Sequence, residues 1–205
     1  MSKLLIFPYN GNGLEAIDCI GNNFELAGFI DDTKEKQGVA TNGYRVFSRD
    51  ICQKISEAKI LAVPGSSSTF RERKKIIDSL NIAEGRFATV IHPSATVSPL
   101  AKIGFNVLIM AGVVITSNAV IGNHVCILPN TVIHHDVVIC DYTLIGSNIS
   151  VAGNTRVGEN CYIGSGTSII NGIEIGSKTM IGMGTNVIQS FPENSKLVGN
   201  PARQL

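Results

Sequence analysis

The chain has 205 residues, 44% of them hydrophobic, and carries 17 basic against 16 acidic side chains for a formal net charge of +1. That size and apolar content suffice for real buried cores. The near-neutral balance, with no basic stripe, argues against a nucleic-acid or membrane-surface partner.

The five cysteines, Cys19, Cys52, Cys126, Cys140 and Cys161, form no CxxC pair and no even framework. They read as reduced thiols in a cytoplasmic chain. The N-terminal KLLIF is too short for a signal-peptide core, and no apolar run reaches the roughly 18 residues that a spanning helix needs.

Residues 1–90 alternate strand and helix signals. A strand is expected over 3–7, followed by the glycine-bearing loop PYNGNG and a short helix over 14–20. A second strand, 25–30, ends in Asp31 and Asp32, and a third, 59–63, ends in PGSSS. A charged helix over 69–80 and a strand over 87–91 complete this part. Its dense basic run, Arg71 to Lys75, reads as a solvated helix face. The alternation implies a small, mainly parallel, Rossmann-like α/β sheet. Ligands on such sheets sit outside the carboxyl ends of the strands. Here those ends carry Asn10, Gly11, Asn12 and Gly13, then Asp31 and Asp32, then Ser66. These are the candidate residues for a nucleotide-sized ligand, although GNG alone is a common steric turn.

From residue 91 a different rule applies. Stepping by six from Ile91 to Val187 gives seventeen positions, and every one is Ile or Val. A period of six means a short strand, a turn and a return to the same phase, with the β-branched residue pointing inward. Parallel coils of 18 residues follow, so that residue i lies beside residue i+18 at about 4.8 Å. Residues 91–205 should therefore form a β-helix with a C-terminal cap.

Within that frame TVIHHDVVI, residues 131–139, is unusual. Ile133 points inward, so His134, His135 and Asp136 fall at a corner. One coil on from His135 is Gly153, whose amide no side chain covers, and Asp136 shares a column with Asn118 and Asn154. A base, an acid to orient it and a bare amide are the parts of an acyl-transfer site. His134 reads as surface. A zinc site is not expected, because the four histidines lack a pair five apart, and the one-coil partner of His124 is Tyr142.

The α/β head, VIHHD, SVAGN at 150–154 and GNPAR at 199–203 together resemble the bacterial hexapeptide-repeat acetyltransferases of nucleotide-linked amino sugars, of the bacillosamine, perosamine and viosamine type, and their sialic acid relatives. The resemblance implies a left-handed parallel β-helix and a homotrimer with acetyl-CoA in the groove between subunits. It implies a nucleotide-linked amino sugar held by the head, and neither metal, nucleic acid nor membrane insertion. His135 would be the general base, Asp136 its orienting acid, and Gly153, Asn154, Pro201 and Arg203 the cofactor contacts. The chain departs from the family at PYNGNG, where relatives usually carry GASGHG. It departs again at Leu128 and Pro129, in place of an Asn-Thr pair, and at Leu144, in place of a second histidine. The alternatives are a sugar O-acetyltransferase and a non-catalytic hexapeptide-repeat subunit.

Overall fold

The computed structural model describes residues 1–40 and 42–205. The N-terminal head is a five-stranded sheet built from β1 (Ser2–Phe7), β2 (Phe24–Ile30), β3 (Gly38–Val39), β4 (Arg45–Phe47) and β5 (Lys59–Ala62), ordered β3-β4-β2-β1-β5. All its pairings are parallel except β3 with β4. β1 leads to its parallel neighbour β2, and β4 leads to β5, through short helical crossovers, as parallel connections require. The helices are short: α1 (Gly11–Glu15), α2 (Ile51–Lys54) and α3 (Arg73–Asp78). The helix expected over 14–20 is instead α1 followed by a 3-10 turn, Ala16–Cys19, because Asn10 caps the chain early by accepting from the Gly13 N–H at 2.9 Å. The helix expected over 69–80 is likewise a 3-10 turn, Phe70–Glu72, leading into α3. The strand expected over 87–91 divides in two. Phe87 bridges to Ile60 in the head, while Val90–Ile91 pairs with Leu108–Ile109 in the next coil.

From residue 90 to residue 187 the chain winds through three sheets of two-residue strands, paired in parallel at a spacing of 18 residues, as in Val114↔Val132 and Val132↔Ser150, and the last strands, Lys196–Val198 and Arg203–Gln204, close it as an antiparallel pair. One wall, containing Cys126–Ile127 and Leu144–Ile145, faces the head; the second contains Val132–Ile133 and Ser150–Val151; the third contains Val138–Ile139 and Arg156–Val157. The inward Ile and Val side chains form one continuous core from Ile109 to Val187. Full burial stabilises each by roughly 1.5 to 3 kcal/mol. Ile91 departs from the inward rule: it is 37% exposed, since the first coil has no coil beneath it. Threonines at the fourth position past the aliphatic enter the core without leaving a hydroxyl unpaired. Thr131 donates to the Gly146 carbonyl at 2.8 Å and Thr143 to that of Gly158 at 2.9 Å.

From residue 106 to residue 184 each corner of the coil carries a left-handed residue at six-residue intervals. Asn106, Asn118, Asn130, Asp136, Asn148, Asn154 and Asn160 are among these, with φ between 54° and 60°. Asn and Asp tolerate that region better than other non-glycine residues, which accounts for the asparagine-rich 18-residue columns.

The head docks on the first wall. Leu108, Cys126 and Leu144 from that wall share a buried cluster with Leu4, Ile6, Phe29 and Leu61 from the head sheet. The basic run is the expected solvated face at Arg71, Glu72, Lys74 and Lys75, which are exposed, but not at Arg73. Arg71 donates to the Lys178 carbonyl, and Arg73 is fully buried at the seam. Among the described residues no helix is long and apolar enough to cross a membrane.

Candidate active site

The corner at 134–136 sits between the second and third walls. Val151 and Ser117 carbonyls fix its backbone by accepting from the His134 and Asp136 N–H groups, each at 3.0 Å. Asp136 occupies the left-handed corner position, with φ 59°. That places its carboxylate beside the preceding imidazole, and Asp136 Oδ2 lies 2.8 Å from His135 Nδ1. The other carboxylate oxygen accepts from Asn118 Nδ2 at 3.1 Å. These two hydrogen bonds, from His135 first and Asn118 second, hold the Asp136 carboxyl below its usual pKa. An ionised Asp136 keeps the proton on Nδ1 and leaves Nε2 as the basic, outward nitrogen.

Gly153 lies against the imidazole. A Cβ there would stand 2.5 Å from His135 Cε1, 2.6 Å from Nε2 and 3.0 Å from Nδ1. The glycine is therefore a steric requirement of the ring's position. Its N–H has no hydrogen-bond partner among the described residues. Asn154 serves the corner: it takes the left-handed turn and donates its N–H to the His135 carbonyl at 3.0 Å. No hydrogen bond joins it to Asp136, so the expected polar column stops at the Asn118–Asp136 pair. The His134 side chain makes no hydrogen bond among the described residues.

The head candidates divide by role. Asn12 and Ser66 line a cavity of about 250 Å³ with Gly65 and Ser67 on one side and Leu128, Leu144, Gly146 and Tyr162 on the other. Asn10 is the cap of α1, Gly11 is open, and Gly13 has no room for a Cβ against the Pro8 carbonyl. Asp31 and Asp32 are already engaged within the chain. Asp31 is 4% exposed and holds Lys36 at 2.9 Å. Burial alone would raise its pKa, but the hydrogen bonds from Lys36 and Thr33 together lower it. Asp32 accepts from Arg49 Nε at 2.9 and 3.1 Å. Sequence reading missed Arg49, Tyr162 and Gly146. The last two were reachable by stacking, since Leu128–Gly146 and Leu144–Tyr162 are both pairs 18 apart.

The cavity and His135 do not meet within one chain. The cavity borders the corner between the head-facing and second walls, whereas His135 stands at the far end of the second wall. Pro201 and Arg203 are exposed in the C-terminal cap, which meets the second wall at Asn186 through the Asn186 N–H to Gly199 carbonyl bond at 3.1 Å. They too lie coils away from His135. Among the described residues no group of three His, Cys, Asp or Glu side chains could hold a metal ion.

Among solved structures, the chain is similar over its full length to the acetyltransferase domain of PglB from Neisseria gonorrhoeae FA1090, with 26% identity, a TM-score of 0.86 and 100% of both chains covered. That domain has also been solved with acetyl coenzyme A. The chain is thus similar along its whole length to an acetyltransferase domain. PerB from Caulobacter crescentus, solved with CoA and GDP-perosamine, is 25% identical at a TM-score of 0.86, covering 100% of this chain and 97% of that one. WeeI from Acinetobacter baumannii AYE shares the fold at 21% identity and a TM-score of 0.61, with 100% of both chains covered. The sequence model of the GMPPB C-terminal domain matches residues 86–181 of the chain. No curated protein matches it in sequence.

Proposed function

We propose that the enzyme acetylates the amino group of a nucleotide-linked amino or amino-deoxy sugar by direct transfer from acetyl-CoA in a ternary complex. The observation that carries this reading is the His135 Nδ1–Asp136 Oδ2 contact of 2.8 Å, which frees Nε2 beside an unpartnered Gly153 amide. His135 Nε2 takes a proton from the attacking amine as the N–C bond forms at the thioester carbonyl. The Gly153 N–H receives the developing oxyanion, and Asp136 stabilises the imidazolium. On collapse the C–S bond breaks, and the proton on His135 goes to the departing CoA thiolate. The thiols take no part in this scheme: burial pushes Cys126 and Cys161 each up to about 12.

In this reading residues 1–90 are a Rossmann-like nucleotide-sugar module and residues 91–205 a left-handed β-helix that carries the transfer. Asn10 to Gly13, Asp31, Asp32 and Ser66 belong to the loops that read the nucleotide sugar. Gly153, Asn154, Pro201 and Arg203 contact acetyl-CoA. Because the head cavity and His135 occupy different corners of one chain, a homotrimer with its sites between subunits would let one copy's head present the sugar to its neighbour's histidine. PerB, solved with both CoA and GDP-perosamine, supports the substrate class. The five unpaired cysteines fit a cytoplasmic location. The test is thiol release from acetyl-CoA with UDP-, GDP- and dTDP-linked amino sugars, each paired with its hydroxy-sugar counterpart. Turnover with an amino sugar alone supports N-transfer. Turnover with the hydroxy counterpart alone points to an O-acetyltransferase, and none at all to a non-catalytic subunit.

A further inference from the structure

Arg73 is fully buried, and no carboxylate pairs with it among the described residues. Burying an unpaired guanidinium costs several kcal/mol unless its donors are met. Here backbone carbonyls meet them. Nε donates to the Tyr142 carbonyl at 2.9 Å, Nη2 to the His124 carbonyl at 2.5 Å, and Nη1 to the Pro64 carbonyl. Burial lowers its pKa only to about 10, so the group remains a cation at neutral pH.

The three acceptors belong to two different bodies. Tyr142 and His124 are corner residues of successive coils, at φ 61° and 59°. Pro64 opens the loop that follows β5. The next residue, Gly65, is wedged between the Arg73 stem and the β-helix. A Cβ on it would stand 2.8 Å from Arg73 Cγ, 3.0 Å from Cδ and 3.0 Å from Leu144 Cδ1, and its φ is +117°. Gly65, Ser66 and Ser67 form one side of the head cavity, and Leu144 is part of the other. A second tie anchors the same chain end. Asn106 of the β-helix donates from Nδ2 to the Ala62 carbonyl at 2.9 Å and accepts the Ala62 N–H at 2.7 Å.

We propose that Arg73 is a positioning residue for the sugar nucleotide: it clamps the 64–68 loop to two β-helix corners and thereby fixes the serine side of the cavity against the Leu144 and Tyr162 side. A hydrophobic residue could pack this seam without the desolvation cost. Only a planar fork with separate donors spans three carbonyls in fixed directions. The loop's own hydrogen bonds, Ser66 N–H to Thr69 Oγ1 at 3.1 Å and Ser66 Oγ to Ser68 Oγ at 2.9 Å, shape it locally but do not attach it to the β-helix.

This inference rests on the proposed activity only for its substrate, so the test has two readouts. In R73K a single ammonium replaces the fork, and one or more carbonyl contacts are lost. Loss of a hydrogen bond to a charged group predicts a rise of about tenfold or more in KM for the nucleotide amino sugar. The KM for acetyl-CoA and kcat should change by less than about threefold, as expected when a contact shared by ground and transition states is lost. Amide hydrogen exchange over residues 65–69 should accelerate in the same variant, while residues 130–155 keep wild-type protection. If the wild-type enzyme turns over none of the sugars, the functional reading fails and the exchange readout still decides the clamp. Equal loss on both substrates, or unchanged exchange at 65–69, overturns the proposal. Should R73K fail to fold, Gly65→Ala shifts the loop with the guanidinium intact. The same KM split and local exchange are then expected, and wild-type values of both would overturn it.

Discussion

Replacing Gly153 with alanine adds one methyl group at the most crowded point of the site. That methyl would sit 2.5 Å from His135 Cε1 and 2.6 Å from Nε2, against ordinary carbon contacts of about 3.5 to 4.0 Å. The ring must therefore retreat by roughly 1 Å, and it can do so cheaply, because the His135 side chain is 58% exposed and held mainly by its hydrogen bond to Asp136. The backbone at 153 lies outside the left-handed region, so alanine adds no torsional strain. Fold and activity should separate. Gly153 is itself buried beneath the ring, but the exposed imidazole can give way, so stability should fall by about 1 kcal/mol or less, whereas a base displaced by about 1 Å costs on the order of 10²-fold in rate. The assay is thiol release at saturating acetyl-CoA and acceptor, with calorimetric Tm measured on the same preparation. A variant with wild-type Tm and kcat within about twofold of wild type would refute the argument that this glycine exists to seat the imidazole.

His134→Ala should leave kcat close to wild type, since that side chain is hydrogen-bonded to nothing described, and Asp136→Asn should cost clearly more, because the amide cannot stabilise the imidazolium; steady-state kinetics of the pair checks the order. Acid should loosen the seam between head and β-helix. The Ala62 N–H and carbonyl fix the Asn106 amide so that its Nδ2 faces His124 Nδ1 at 2.8 Å, and Nδ1 must then accept. Burial first, then Arg73, lower the His124 pKa from 6.5 to about 4, so the unfolded chain takes up this proton before the folded one. Its stabilising contribution is complete above about pH 6.5 and is lost as pH falls to about 4. At about 1.4 kcal/mol per unit, reduced by screening at the crevice edge, that is about 2 kcal/mol. Tm against pH should fall over this window in the wild type and fall less in His124→Gln. Sedimentation at assay concentration should give a trimer, and an active monomer would contradict a site shared between subunits.

The β-helix is legible in the sequence nearly residue by residue because a six-residue period leaves one choice of inward face, and its 18-residue stacking rule alone puts Gly153 beside His135. The same rule explains what was misread. Asn118, Asp136 and Asn154 share a column because the corner requires a left-handed residue, and only one neighbouring pair in it is hydrogen-bonded. The head was less legible. Its helices are one turn or little more, too short for a 3.6-residue pattern to register, and β3 and β4 are set by pairing rather than by apolar alternation. Arg73 looks solvated in sequence because a run of charges has the same appearance whether or not carbonyls wait at a seam to receive one of them. Asp31 and Asp32 appeared as free carboxylates at a ligand edge, yet their partners Lys36 and Arg49 come from segments whose approach depends on the tertiary fold.

The most direct test of the central claim is the turnover of His135→Ala with the best nucleotide amino sugar and saturating acetyl-CoA. A corner side chain outside the inward stack contributes little to the fold, so the variant should keep the wild-type Tm and oligomeric state. Its kcat should fall by about 10² to 10⁴, the usual worth of a positioned general base. A folded variant that releases CoA at close to the wild-type rate would contradict the assignment of His135 as the base.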